Sequence, residues 1–174
     1  MRPPIVVMGV SGCGKTTIGL MLAEHYGTVF IDADDLHPAS NKKKMASGMP
    51  LDDQDRAPWL RKVGRAIADA VAAGTPPVAA CSSLKRSYRD GLREAAPDAF
   101  FAHLAGSFDV LSERVSHRAH EFMPPTLLRS QFATLEPLAH EERGATVSFE
   151  LTADQMVQQI VRAVGPNSRL DAES

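Results

Sequence analysis

The stretch that most limits what this chain can fold into is GVSGCGKTT, Gly9–Thr17, directly behind the apolar run PIVVM. It matches the pattern G-x-x-x-x-G-K-S/T at Gly9, Gly14, Lys15 and Thr16. Gly12 and Gly14 let the backbone turn tightly, so that successive N–H groups face inward. A helix starting behind the turn aims its N-terminus at the same point and favours negative charge there. Lys15 has the reach for the β- and γ-phosphates of a nucleotide, and the Thr16 hydroxyl is a ligand for Mg²⁺. Ser11, Cys13 and Thr17 complete the cradle, with Cys13 read as a small filler rather than a nucleophile. A glycine-rich turn without a ligand can match such a pattern by chance. The strand before the motif and the helix after it argue for nucleotide binding.

The rest of the chain repeats that strand–helix rhythm. Short apolar runs at Pro4–Gly9, Thr28–Asp32, Pro76–Cys81, Ala99–Ala105 and Ala145–Leu151 read as five strands. The first four are apolar nearly throughout, as in a parallel sheet covered on both faces. Trp59, Val63, Ile67 and Val71 recur every four residues between the second and third strands. Met156, Val157, Ile160, Val161 and Val164 form one stripe, with Thr152 and Gln155 as its capping box. The expected fold is α/β: a P-loop NTPase three-layer sandwich, a five-stranded parallel sheet between helices. Residues 1–165 read as one domain and 166–174 as a polar, disordered tail. In such folds ligands gather at the carboxyl ends of the strands.

Bulk properties narrow the function classes. The length of 174 residues suits a single domain with its own core. A formal net charge of −2 gives no sign of nucleic-acid binding, so an anionic ligand needs a local site. No apolar window is long enough to span a membrane. Two cysteines without paired or metal-ligand spacing fit a reducing, cytoplasmic setting.

The strand ends supply the remaining candidates. FIDADDLHPASNKKKM, Phe30–Met45, closes the second strand with acids and continues into lysines. Asp32 is placed to add an oxygen ligand to Mg²⁺, directly or through water. Asp34 is placed to orient a phosphoryl-acceptor hydroxyl and take its proton. The alternatives are exposed loop acids, or a helix N-cap at Asp34 or Asp35. After the third strand, Lys85 and Arg89 stand four apart, a spacing that puts both on one helix face to hold an anionic group. After the fourth, Arg114 and Arg118 are spaced alike, and Pro124–Pro125 interrupt the helix. Helix, break and helix with arginines at the hinge predict a mobile lid over about 111–130, with Arg114 and Arg118 contacting ATP phosphate. The second half carries no N-K-x-D guanine signature, so a small phosphotransferase is expected rather than a switch GTPase. A nucleoside monophosphate kinase would use the same parts.

Four segments, MGVSGCGKTT, DADDLHPASNKKKMASGMPLDDQDRAPWL, CSSLKRSYRD and FMPPTLLRSQFATLEPL, closely resemble the bacterial-type gluconokinase family, small P-loop kinases related to shikimate and adenylate kinases. The resemblance runs from about Ile5 to Val164. It implies ATP-dependent phosphorylation of D-gluconate to 6-phospho-D-gluconate, which feeds the pentose phosphate route, and it implies a homodimer. A polyol ending in a carboxylate calls for an arginine fork and short polar groups. Arg56 and Arg89 are the carboxylate candidates, and His37, Asn41, Lys44 and Ser82 the hydroxyl candidates. The resemblance to shikimate kinase supports Asp34 as the group at the acceptor hydroxyl, Asp32 near Mg²⁺, and the lid, with Arg118 first and Arg114 second as the cation on the transferring phosphate. Gln131, just past the lid, either contacts substrate or packs a helix. One departure stands out: where many members read Gly-His-Phe-Met, this chain has His120-Glu121-Phe122-Met123. Glu121 is expected to face away from phosphate, and the lost glycine to stiffen the hinge. Beside this reading stand a kinase for another sugar acid or a shikimate-like acceptor, and a nucleotide-binding regulator without turnover.

Overall fold

In the computed structural model, which describes residues 1–117 and 124–166, the strands are β1 (Ile5–Met8), β2 (Phe30–Asp32), β3 (Val78–Ala80), β4 (Phe100–Ala105) and β5 (Gly144–Ser148). They form one parallel sheet in the order β2-β3-β1-β4-β5. All five lie within or next to the runs read from sequence. The helices are α1 (Lys15–Tyr26), α2 (Ala39–Ala46), α3 (Asp53–Ala72), α4 (Arg86–Ala95), α5 (Phe108–Ser116), α6 (Pro125–Thr134) and α7 (Ala153–Val164), and a 3-10 turn covers Ala33–Leu36.

Alternation along β1 explains the layers. Successive side chains of a strand point to opposite faces. Ile5 and Val7 join Ile18 and Leu22 of α1 and Met156 and Ile160 of α7 in one core. Val6 and Met8 join Trp59, Val63 and Ile67 of α3 and Leu92 of α4 in the other. The stripe read at Trp59, Val63 and Ile67 is the buried face of α3. The capping box of α7 forms in both directions: Thr152 Oγ1 accepts from the Gln155 N–H and Gln155 Oε1 accepts from the Thr152 N–H.

The chain leaves β1 toward β2 on one side and later reaches β4 on the other, so a crevice opens at the carboxyl end of β1. Gly9 N donates to the Ser82 carbonyl at 3.2 Å and ties the end of β1 to the end of β3. The break expected at the prolines is present, since Pro124 precedes α6 and Pro125 is its first residue. α5 and α6 meet through an edge-to-face Phe108–Phe132 pair, centroids 5.5 Å apart. Arg118, His120, Glu121, Phe122, Met123 and the tail from 167 lie outside the described residues.

Candidate active site

The cradle is built by backbone that only glycine adopts easily. Gly14, at φ 101°, precedes the first turn of α1. Gly12, at φ 81°, leaves no room for a side chain, because a Cβ there would stand 2.7 Å from Val115 Cγ2 of α5. The loop therefore seats on the helix that leads toward residues 118–123. On its other side it is gripped by α6: Ser11 N donates to Gln131 Oε1 at 2.7 Å, and Gln131 Nε2 donates to Ser11 Oγ at 3.0 Å. Lys15 Nζ donates to the Val10 carbonyl at 3.0 Å, so its charge lies folded over the loop. Cys13 is buried beneath it.

At the end of β2, Asp32 caps the 3-10 turn, its Oδ1 accepting the Asp34 N–H at 3.0 Å. The cap thus lies two residues before Asp34 and three before Asp35. Asp32 Oδ2 stands 3.4 Å from Thr16 Oγ1. Burial raises the Asp32 pKa, the Asp34 and Asp35 carboxylates add to that, and the Asp34 N–H and Thr16 hydroxyl oppose it. A carboxylate in that position gains from a nearby cation. The paired hydroxyl and carboxylate oxygens are hard oxygen donors of the kind that would suit Mg²⁺. Among the described residues no cluster of three or more His, Cys, Asp or Glu side chains is placed to hold a metal by itself.

Lys15, Asp34, His37, Arg56, Ser82 and Gln131 open onto one cavity of about 410 Å³. His37 stacks on Trp59, ring centroids 3.9 Å apart at 14°. Trp59 is fixed in turn by its Nε1–H on the Ala33 carbonyl at 2.6 Å. Burial, followed by the charges of Arg56 and Lys42, pushes the His37 pKa down to about 4, so the ring is neutral at physiological pH. Asp34 projects into solvent at the cavity mouth, with Oδ1 4.0 Å from His37 Nε2.

The third wall is a polar chain. Arg56 is buried, and its Nη1 donates to Tyr88 Oη at 3.1 Å. Tyr88 donates to Asp53 Oδ1, which Lys85 Nζ also holds at 3.0 Å. Desolvation and the bond to Asp53 raise the Tyr88 pKa, so the phenol keeps the proton it donates. Among the described residues Tyr88 is the hydrogen-bond partner of the Arg56 guanidinium, which leaves most of its fork for a ligand.

A family model described as an AAA domain matches residues 5–138. A gluconokinase from Gluconobacter oxydans is 44% identical, covering 91% of this chain and 89% of its own. The thermosensitive gluconokinase of Escherichia coli is 41% identical, covering 91% of this chain and 86% of its own. The crystal structure of a gluconokinase from Sinorhizobium meliloti superposes with a TM-score of 0.86 at 44% identity, covering 94% of this chain and 91% of that one. The chain belongs to the gluconokinase family.

Within the gluconokinase frame the structure redistributes several candidates. Arg89 is not at the cavity. It is fully buried, and its guanidinium is spent on the Glu142 carboxylate and the carbonyls of Ser83, Leu84, Glu136 and Pro137. It braces the β3 end, where Ser83 holds a positive φ of 47°. Lys85 faces Asp53 rather than the cavity, and Lys44 is paired with Asp55 Oδ2 at 2.6 Å. Asn41 is buried behind His37 and is not among the residues that line this cavity. Arg114 Nη1 donates to the Phe149 carbonyl at 2.6 Å and so is turned toward the end of β5. The residues missed by sequence reading are Tyr88 and Asp53, and the part Trp59 plays as the shelf for His37. Tyr88 carries a weak signal, standing three residues beyond Lys85 in CSSLKRSYRD.

Proposed function

We propose that this chain transfers the γ-phosphoryl group of ATP to the 6-hydroxyl of D-gluconate, giving ADP and 6-phospho-D-gluconate. The observation that carries the reading is the shared cavity, where the cradle lysine Lys15, the carboxylate Asp34 and the fork of Arg56 all open. Its volume suits a small ligand, and its walls offer a cation for a carboxylate and polar groups for hydroxyls. Family membership supplies the substrate.

Lys15 leaves the Val10 carbonyl and, with the loop amides, neutralises the β- and γ-phosphates. Arg56 takes the gluconate carboxylate on its planar fork. Asp34 orients the acceptor hydroxyl and receives its proton as the new P–O bond forms. The bond from the γ-phosphorus to the bridging oxygen breaks, and ADP leaves with that electron pair. Ser82 and His37 line the polyol. Thr16 and Asp32 would hold Mg²⁺, which when bound supplies charge neutralisation at the phosphates. Arg118, and secondly Arg114 after release from the Phe149 carbonyl, stabilises charge on the equatorial oxygens. On the family resemblance alone, the reading extends to a cytoplasmic homodimer whose product enters the pentose phosphate route. Light scattering checks the dimer, and a monomer mass at assay concentration withdraws it.

Replacing Asp34 by Ala removes the proton acceptor and is expected to lower kcat by about 10²–10⁴-fold in a protein that still folds. Near-normal kcat in that variant would take Asp34 out of this role.

A further inference from the structure

The hydrogen bonds behind His37 fix which of its nitrogens carries the proton. Asn41 Nδ2 donates to the Asp55 carbonyl at 2.9 Å, and a carbonyl only accepts, so the amide nitrogen faces that side. The same nitrogen lies 3.2 Å from His37 Nδ1. Its second hydrogen therefore points at Nδ1, which must be the lone-pair nitrogen. A neutral imidazole with Nδ1 as acceptor has its hydrogen on Nε2. Nε2 is the atom that faces Asp34 Oδ1 at 4.0 Å, and the contact with Asn41 favours this orientation of the stacked ring, because a flipped ring would turn a C–H toward the amide.

We propose that Asn41 is a positioning residue that acts through His37, holding the ring as its Nε2–H tautomer so that this N–H donates to the acceptor hydroxyl beside Asp34. The hydroxyl oxygen then accepts from His37 while its own hydrogen is directed to the Asp34 carboxylate. This rests on the phosphotransfer reading of the cavity only for the identity of the acceptor. The charged groups facing the ring are Asp34 from the 3-10 turn, Lys42 from α2 and Arg56 from α3. Burial first, and then the two cations, favour the neutral imidazole, whose Nδ1 is open to the Asn41 amide.

Two measurements on the full chain test the idea. Ring ¹⁵N spectra of the ligand-free protein are expected to show Nε2 protonated and Nδ1 bare, unchanged from about pH 8 to about pH 5. A protonated Nδ1 or an averaged pair of tautomers overturns the proposal, whatever the acceptor is. Asn41→Leu should mix the tautomers and lower kcat for gluconate about tenfold, with KM for ATP unchanged, the loss expected for one misdirected hydrogen bond. In a His37→Gln background, whose side-chain amide has no tautomers, the same substitution should add no further loss. An equal loss in both backgrounds means that Asn41 does not act through His37. If gluconate proves not to be the acceptor while the ring spectra hold, the substrate assignment fails and the tautomer stands.

Discussion

An arginine that recognises a carboxylate binds more tightly when its fork is held before the ligand arrives, because side chains ordered on binding cost affinity. On the proposed reading Arg56 is such an arginine: Tyr88 holds its guanidinium, and Asp53 and Lys85 hold Tyr88. Tyr88→Phe removes the acceptor on Arg56 Nη1. It is expected to raise KM for gluconate about three- to tenfold while kcat stays within about twofold, as steady-state kinetics would show. A fall in kcat at unchanged KM would place Tyr88 in the chemistry instead. At this scale the sequence was readable where the partner is local. The cradle residues follow one another in one short motif, whereas Tyr88 and Asp53 are 35 residues apart and Arg89 and Glu142 are 53 apart. No spacing rule announces such pairs, so Arg89 looked like a free cation until its buried carboxylate was in view.

Elements show the same division. The strands and α7 were legible because hydrophobic period and capping residues are properties of neighbouring positions. Thr152→Ala removes one half of the α7 box and should cost about 1 kcal/mol, seen as a melting temperature lower by about 2–4 °C. No change in melting temperature would mean that α7 is held by its packed stripe alone. The pairing of Lys85 with Arg89 failed for an element-level reason. Lys85 sits at the N-cap of α4 in extended conformation, φ −97° and ψ 149°, so the i, i+4 rule of a helix interior does not apply to it. For Arg114 the spacing to Arg118 gave a face but no direction, and the Phe149 carbonyl supplies the direction it takes here.

At the scale of the whole molecule, buried titratable groups set the response to acid. Burial raises the Glu142 carboxyl, but the hydrogen bonds from Arg89, the Ala139 N–H and Arg93 outweigh it and hold its pKa down at about 2. Its contribution is complete above the ordinary carboxylate pKa and is lost as pH falls toward about 2. His103, buried on β4 with the Arg89 charge nearby, and His37 are each pushed down to about 4. Unfolding lets both take up protons below the ordinary histidine value of 6.5, so stability falls first between about pH 6.5 and 4. His103→Leu should flatten that first limb in denaturant titrations across pH, and an unchanged limb would remove His103 from it. Glu142→Ala leaves the Arg89 charge buried without its carboxylate and should cost about 3–5 kcal/mol. A melting temperature within about 2 °C of the parent would contradict the bracing role of that pair.

The central claim is that the cradle, Asp34 and Arg56 serve one phosphoryl transfer to gluconate. A coupled assay of ADP release with Mg²⁺-ATP, run against D-gluconate, shikimate, glucose and other aldonates, tests it most directly. The account predicts ADP release that depends on D-gluconate, with the 6-phosphate as product. Turnover with another acceptor and none with gluconate would contradict the substrate. ATP binding without turnover on any acceptor would contradict the enzyme.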